Sequence, residues 1–272
     1  MAKKKSKLGQ VFLVDKNIVS KMVRVADLPE DDWVVEVGPG RGILTEALLE
    51  NGLNVIAFEI DRKLAHEVRE KFRLLLNDRL FVFEEDYLKA DVPSVFKELG
   101  VEKAHFMSNI PYYITTPILD KLVREREFYR SIHLTVQKEV AERIVARASS
   151  DAYGSLTIYL NYYFEPKIEF FISNTCFRPI PDVHSAFLRL MPRKQPPIEL
   201  RDEKLFFRIM RGSFSMRRKK LRTVLRSMFG KMDWERVEEL SGIDLDRRGE
   251  TLDMDDFARL SNAIHALKSE GG

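Results

Sequence analysis

The feature that most restricts the fold of this chain is an apolar run, Trp33–Val37, that breaks into a turn with glycine at positions 38, 40 and 42. The segment that follows, Ile43–Leu49, has the composition of a helix. Strand, glycine turn and helix follow one another in this order in a Rossmann unit, where the glycines let a nucleotide approach backbone N–H groups. A glycine turn can also serve only to reverse the chain. The stretch therefore predicts an α/β fold, and a ligand site only if other residues agree.

Polar residues at the ends of later apolar runs supply that agreement. Three such runs each lead to one polar residue: 54–58 to Glu59, 80–84 to Asp86 and 103–107 to Asn109. Glu59 follows the first glycine by about 20 residues, where the fingerprint places an acid for ribose hydroxyls. Each residue alone could be a turn or helix-cap residue. Because open parallel sheets bind ligands at the carboxyl ends of their strands, we expect them to form one site with Gly38 and Gly40.

The loop after the fourth run, Ser108–Tyr113, has the residues needed to methylate an amine on an aromatic base. Such an amine is a poor nucleophile, so its N–H groups must be held by acceptors that turn the lone pair toward an electrophile. The Asn109 side-chain carbonyl and the Ile110 backbone carbonyl, fixed by Pro111, would supply those acceptors. Tyr112 would offer a flat face for stacking. A lone match of this length is more often an ordinary Asx-Pro turn.

The cofactor has to be decided separately, because the same layout could hold NAD. A nicotinamide enzyme typically has Gly-x-Gly-x-x-Gly, whereas this turn reads Gly-x-Gly-x-Gly after Glu36. Together with the amine-presenting loop, the turn favours S-adenosylmethionine. In this interpretation Glu59 accepts hydrogen bonds from the ribose diol and Asp86 accepts one from the adenine amine of the cofactor.

Several motifs in one order resemble the ribosomal RNA adenine dimethyltransferases of the KsgA (RsmA) family. They are Leu8-Gly-Gln-Val-Phe-Leu13, Glu36-Val-Gly-Pro-Gly-Arg-Gly42, Asn109-Ile-Pro-Tyr-Tyr-Ile-Thr-Thr-Pro117, Gln137-Lys-Glu-Val-Ala-Glu-Arg143, Tyr153-Gly-Ser-Leu156 and Phe177-Arg-Pro-Ile-Pro-Asp-Val183. The resemblance implies a Rossmann-like methyltransferase fold with a small C-terminal helical domain. It also implies transfer of methyl groups from S-adenosylmethionine to two adjacent adenosines in the 3′-terminal hairpin of small-subunit rRNA, within a pre-assembled subunit.

The same resemblance assigns site residues. The implied cofactor positions are Val11, Leu13, Gly38, Glu59, Asp86 and Asn109. Tyr112 and Phe177 resemble the two aromatic residues that sandwich the target base. Val11 departs from the family, which commonly has Asn at this place, so a side-chain contact to the cofactor is not expected there.

Composition agrees with this interpretation. The chain has 272 residues, of which 44% are hydrophobic and 32% are charged, as in a soluble globular protein. Cys176 is the single cysteine, which excludes an internal disulfide and favours the cytoplasm. No apolar stretch is long enough for a membrane span, and the histidines form no metal-ligand pattern. We expect no metal and a monomer, with the Lys-rich segment 2–7 as a basic arm.

A change of pattern near Pro192–Pro197 predicts two domains, 1–193 and 194–272. The first would close with two strands, Leu156–Phe164 and Ser185–Leu190. The second would be helical, with one helix over Arg217–Phe229. No acid occurs between Lys204 and Lys231, so this block is the expected RNA-binding element. Its predicted contacts are Arg217, Arg218, Lys219, Lys220 and Arg222. A solvated helix face balanced by acids elsewhere is the alternative.

Two other functions stay open at this stage. An Erm-type enzyme, which methylates an adenosine of large-subunit rRNA, shares the fold and the Asn-Ile-Pro-Tyr loop. A non-catalytic assembly or transcription factor could use the same fold for binding alone. Mapping the methylated positions would distinguish the Erm-type enzyme from the small-subunit enzyme. A test for methyl transfer would distinguish a non-catalytic factor from both.

Overall fold

The computed structural model describes residues 11–270, and the basic arm predicted for residues 2–7 lies outside this range. The chain forms two compact units. The first contains the described residues up to Ala141 together with Glu165–Pro192, and the second contains Glu142–Phe164 together with the residues from Arg193 onward. This division differs from the predicted one in two places, since residues 142–164 and Arg193 belong to the second unit.

The first unit is built on a sheet whose strands lie in the order β4-β3-β2-β5-β6-β9-β7. These strands are β2 Trp33–Val37, β3 Asn54–Phe58, β4 Leu80–Phe83, β5 Ala104–Asn109, β6 Tyr129–Gln137, β7 Phe164–Ile172 and β9 Ser185–Pro192. A separate antiparallel pair joins β1 Phe12–Leu13 to β8 Phe177–Arg178.

Strands β4, β3, β2, β5 and β6 run parallel, and β9 is antiparallel to β6. Their apolar runs are buried, as in sheets covered on both faces: Val34, Val35 and Ile56 have no exposed surface. The carboxyl ends of the parallel strands therefore meet at one edge, where Asn109 is the last residue of β5 and Glu59 and Asp86 follow the ends of β3 and β4. The predicted Rossmann-like α/β fold is confirmed.

Helices connect these strands. They are α1 Lys16–Ala26, α2 Ile43–Glu50, α3 Arg62–Lys71, α4 Val92–Leu99, α5 Thr115–Arg124 and α6 Lys138–Ile144. Three of them begin at an aspartate, Asp15, Asp61 or Asp91, whose carboxylate accepts hydrogen bonds from N–H groups of the first turn. No helix within residues 11–270 combines the length and apolar character needed to cross a membrane.

The second unit is helical. Its helices are α7 Ser155–Tyr163, α8 Glu203–Ser215, α9 Leu221–Phe229, α10 Trp234–Ser241 and α11 Met254–Glu270. They enclose one apolar cluster that includes Phe206, Met210, Leu225, Phe257 and Ile264.

Two predictions of secondary structure were wrong in this unit. Leu156–Phe164, predicted as a strand, lies almost wholly in α7, where the Gly154 N–H donates to Thr157 Oγ1 at 3.2 Å and fixes the first turn. The aromatic side chains of α7 pack on α8: the rings of Tyr162 and Phe207 lie 5.3 Å apart. The helix predicted over Arg217–Phe229 begins only at Leu221.

Candidate active site

A cavity of about 680 Å³ lies at the carboxyl edge of the parallel strands. Residues of all the predicted cofactor positions line it, namely Val11, Leu13, Gly38, Gly40, Glu59, Asp86 and Asn109. Pro111 of the amine-presenting loop lines it as well. Its volume is within the range of small-molecule pockets, which is about 300–1,000 Å³. The structure thus brings together residues that are up to about a hundred positions apart in the chain.

The glycine turn owes its shape to backbone conformations that other residues rarely adopt. Gly38 has φ +66° and Gly40 has φ +58°. The Gly38 N–H donates to the Phe58 carbonyl at 2.8 Å, which ties the turn to β3. A Cβ on Gly38 would meet nothing within 4 Å, whereas one on Gly40 would lie 3.0 Å from the Phe12 ring. The turn is therefore open to the cavity at Gly38 and covered by Phe12 at Gly40.

Glu59 is held in place by two backbone N–H groups. Its side chain is buried, and its two oxygens accept from the Gly40 N–H at 3.2 Å and the Asp61 N–H at 3.0 Å. Burial raises the pKa of this carboxyl, although the backbone donors oppose the effect. Each oxygen has a second lone pair, so the group can still accept from a diol. Glu59 is thus positioned for the predicted ribose contact and also shapes the glycine turn.

Glu36 is a cavity residue to which the sequence assigned no role. Its side chain is buried, and Thr45 Oγ1 donates to its Oε2 at 2.6 Å. Burial raises its pKa to about 8, because the Thr45 hydrogen bond does not outweigh desolvation, and the charge of Glu59 raises it further. Glu36 is therefore largely protonated at neutral pH. The acid before the turn was visible in the sequence, but its partner Thr45 was not.

Asp86 begins a tight turn after β4. Its Oδ1 accepts from the Leu88 N–H at 3.0 Å, and its backbone carbonyl accepts from the Lys89 N–H at 2.8 Å. These bonds fix the carboxylate at the edge of the cavity while leaving acceptor capacity for an amine.

The amine-presenting loop is anchored directly to the glycine turn. Ser108, which is fully buried, donates its hydroxyl to the Val37 carbonyl at 2.5 Å and so joins the ends of β5 and β2. Asn109 follows as the last residue of β5 and is partly exposed. Its side chain makes no hydrogen bond to any residue between 11 and 270. The amide is therefore free to bind a ligand.

The two tyrosines of this loop have different surroundings. The Tyr112 hydroxyl lies 2.6 Å from Ser185 Oγ, at the buried start of β9, and burial raises its pKa. Tyr113 lines the cavity and is 59% exposed. Of these two tyrosines, the sequence predicted base stacking for Tyr112, and no sequence feature distinguished it from Tyr113.

Phe177 is buried away from the cavity. Its side chain has no exposed surface and belongs to the apolar core with Leu13, its partner in the β1–β8 pair. Neither its ring nor the ring of Tyr112 lines the cavity, so the sandwich of these two residues around a base stays a prediction. The cavity aromatic on the exposed side is Tyr113 instead.

The residues present suit S-adenosylmethionine. The buried carboxyl of Glu59 and the partly exposed carboxylate of Asp86 provide acceptors for hydroxyl and amine donors, and Gly38 leaves backbone space open to the cavity. When bound, the cofactor supplies an electrophilic methyl group on a positively charged sulfur. Within the described part of the chain, no three His, Cys, Asp or Glu side chains group as metal ligands.

The predicted RNA contacts of the second unit lie in and after the turn between α8 and α9. Three of them form ion pairs: Arg217 with Glu250 at 3.1 Å, Lys220 with Asp246 at 3.1 Å and Arg222 with Glu238 at 2.6 Å. Arg218 and Lys219 are exposed and pair with no carboxylate of the described residues. The alternative of a face balanced by acids thus applies to Arg217, Lys220 and Arg222.

Comparison with known proteins agrees with the site. The family model "Ribosomal RNA adenine dimethylase" matches residues 1–266. "Ribosomal RNA small subunit methyltransferase A" of Geobacillus kaustophilus is 43% identical over 97% of this chain and 92% of its own length. The protein of the same name from Streptococcus thermophilus is 42% identical over 96% of this chain and 91% of its own length.

Solved structures share the fold. A dimethyladenosine transferase from Plasmodium falciparum aligns with a TM-score of 0.75 at 24% identity, over 96% of this chain and 98% of its own. The 23S rRNA methyltransferase ErmE aligns with a TM-score of 0.70 at 25% identity, over 93% and 99%. The predicted activity, adenine dimethylation in ribosomal RNA with S-adenosylmethionine as donor, is confirmed by the family match. The chain belongs to the ribosomal RNA adenine dimethylase family.

Proposed function

We propose that this enzyme dimethylates the N6 amines of two adjacent adenosines in the 3′-terminal hairpin of small-subunit rRNA. It acts as a monomer in the cytoplasm, on a small subunit that is already assembled, and contributes to the biogenesis of that subunit. The observation that carries the proposal is the opening of the Asn109 amide into the same cavity as the glycine turn and Glu59. The names of the relatives, which specify the small subunit, support this substrate over the large-subunit alternative.

The cavity residues divide into two groups. Glu59, Asp86 and the backbone at Gly38 and Gly40 hold the cofactor, and Val11 and Leu13 cover it from the other wall. Asn109, the Ile110 carbonyl and Pro111 receive the target base. Because Ser108 ties the Asn109 loop to the end of β2, the two groups keep a fixed spacing, as in-line transfer requires.

Asn109 orients the amine. Its side-chain oxygen and the Ile110 carbonyl accept the two N–H hydrogens of N6, which turns the lone pair away from the ring plane. As the amine attacks, it gains positive charge, and these acceptors stabilise that charge without a strong base. The extra proton then passes to water. We call the residues that hold the cofactor, together with the adjacent Glu36, the cofactor half of the cavity, and those that receive the base the base half. Neither Glu36 nor Glu59 is required for this step, because both lie in the cofactor half.

The second methylation needs space beside Asn109, because the monomethylated amine must turn its remaining hydrogen toward an acceptor. The absence of a hydrogen bond to Asn109 from the described residues and the exposure of Tyr113 favour such a rotation. Tyr113 is also positioned to cover the face of the base that Phe177 does not reach.

The test is transfer of labelled methyl groups to small ribosomal subunits that lack the modification, followed by mapping of the label. We expect two dimethylated adjacent adenosines near the 3′ end of the small-subunit rRNA. Label only in large-subunit rRNA would instead identify an Erm-type activity. Complete absence of transfer, with cofactor still bound, would indicate a non-catalytic role.

A further inference from the structure

The acid groups of the cavity create a problem for an RNA substrate. The described lining contains four carboxyl side chains, Glu36, Glu59, Glu85 and Asp86, of which Glu36 is largely protonated at neutral pH. It contains two basic side chains, Arg41 and Arg178. An ionised carboxylate repels a phosphate, most strongly where little water screens it. A polyanion can therefore reach this cavity at low cost only along the side where the cations lie.

The two arginines of the cavity lining are both neighbours of Phe12. The Arg41 guanidinium carbon lies 5.7 Å from the centre of the Phe12 ring, and Phe12 is paired with Arg178 in the β1–β8 ladder. Phe12 itself packs against Gly40 of the glycine turn. Both arginines are exposed although they line the cavity, so they stand at its mouth.

Neither arginine forms an ion pair with a described residue. Among residues 11–270, no carboxylate pairs with Arg41 or with Arg178. One terminal nitrogen of Arg178 donates to the backbone carbonyls of Thr175 at 2.9 Å and Phe177 at 2.7 Å. These bonds fix the guanidinium in place, and its remaining N–H donors can bind an anion as a planar fork.

An adenosine that enters the cavity stays attached to its strand by a phosphate on each side. The base can be buried, but both phosphates must remain at the mouth, and contacts to phosphates are what position a nucleic acid on a protein. We propose that Arg41 and Arg178 bind the phosphates that flank the extruded adenosine, so that the RNA backbone crosses the mouth over Phe12. This inference rests on the proposed function, since it requires an RNA substrate.

The experiment compares Arg41→Gln, Arg178→Gln and the double variant with wild type. The probe is a fluorescent RNA hairpin with two adjacent adenosines in an unpaired segment, titrated at several salt concentrations, and S-adenosylmethionine affinity is measured calorimetrically. We expect roughly tenfold weaker RNA binding for each variant. The slope of log affinity against log salt should fall by about 0.7 for each arginine and about 1.4 for both. Cofactor affinity should not change.

Arg24→Gln is the matched control, because Arg24 is an exposed arginine of the same unit that does not line the cavity. If wild type binds the RNA but the double variant keeps the same RNA affinity and the same salt slope, the assignment of the arginines is overturned. The proposed function would not be affected by that result. A selective fall in cofactor affinity would also overturn it, because the arginines would then hold the cofactor's carboxylate. Wild-type protein that neither binds nor methylates RNA would overturn both.

Discussion

The two halves of the cavity use their polar groups differently. In the cofactor half, Glu36 and Glu59 are buried and already accept hydrogen bonds from the protein, from Thr45 in one case and from two backbone N–H groups in the other. In the base half, Asn109 has no such partner among the described residues. The carboxyl groups of the cofactor half therefore stabilise the fold as well as bind the cofactor. The Asn109 amide of the base half is available to the substrate. Mutations in the two halves should separate stability from activity.

The largest effect is expected from Asn109→Ala. Loss of an acceptor aimed at developing charge should reduce methyl transfer by about 10²–10³. Any fall in cofactor affinity should be much smaller than the fall in transfer, and the melting temperature should stay near wild type, because no described residue depends on the Asn109 amide. Rates of label transfer, calorimetric cofactor titration and thermal melts check this.

Asn54→Ala is the matched control for Asn109→Ala. Asn54 lies at the opposite end of β3, and its Nδ2 donates to the Asp31 carbonyl at 2.7 Å. Its removal should lower stability by about 1 kcal/mol and leave transfer intact. An Asn109→Ala enzyme with full activity would remove Asn109 from the mechanism.

Glu59→Ala should lower both cofactor affinity and stability, because Glu59 belongs to the cofactor half. The change removes the diol acceptor and leaves the Gly40 and Asp61 N–H groups without their partner. We expect cofactor affinity to fall by about a hundredfold and stability by about 1–3 kcal/mol, the cost of an unsatisfied buried donor. Calorimetry and denaturant titration measure the two losses. Unchanged stability would show that Glu59 has no structural role.

The position of the Tyr112 ring should depend on Ser185, because the two hydroxyl groups are hydrogen-bonded. Tyr112→Phe and Ser185→Ala should each slow transfer by a few fold up to about tenfold, since one hydrogen bond is worth about 1 kcal/mol. If Ser185 acts by positioning Tyr112, the double variant should be no slower than the single ones. Multiplying effects in a double-mutant cycle would show that the two residues act separately.

Residues 216–220, the basic turn between α8 and α9, show a similar contrast in the second unit, because some of the cations there are paired and others are not. Arg218→Gln with Lys219→Gln should weaken RNA binding by several fold and lower its salt slope by about one to two, because both cations are unpaired. Arg217→Gln with Lys220→Gln is the matched pair, and these cations already face Glu250 and Asp246. It should change binding less. Equal losses for the two pairs would mean that the ion pairs open on binding.

The last prediction is a pH dependence of stability. Glu36 has a pKa of about 8 in the folded protein and 4.5 ordinarily, so the folded state binds its proton more tightly. Its contribution to stability is complete below pH 4.5 and is lost as the pH rises toward 8. Relative to Glu36→Gln, wild type should therefore lose up to about ten degrees of melting temperature between pH 5 and 8. Parallel melting profiles would contradict this.

The sequence could predict those parts of the site that follow from local pattern. The apolar runs that lead to Glu59, Asp86 and Asn109 were sufficient to predict that these residues share one site. The reason is that parallel strands bring their carboxyl ends to one edge of the sheet. Leu156–Phe164 misled because β-branched and aromatic residues are common in strands, while the tertiary contacts of α7 with α8 decide its structure.

Other features depend on contacts between distant residues. The burial of Phe177 follows from its pairing with Leu13, more than 160 positions earlier, and from the core around them. The Glu36 pKa depends on burial, and the ion pairs of Arg217, Lys220 and Arg222 depend on acids that lie 16 to 33 residues further along the chain. Local sequence pattern gives no information about such pairings.

A crystal structure with S-adenosylhomocysteine and adenosine would test the central claim most directly. The adenosine N6 should lie about 2.7–3.2 Å from the Asn109 side-chain oxygen, with the cofactor ribose on Glu59. An adenine that binds out of reach of Asn109, or a cofactor whose ribose avoids Glu59, would contradict the assignment of the two halves of the cavity.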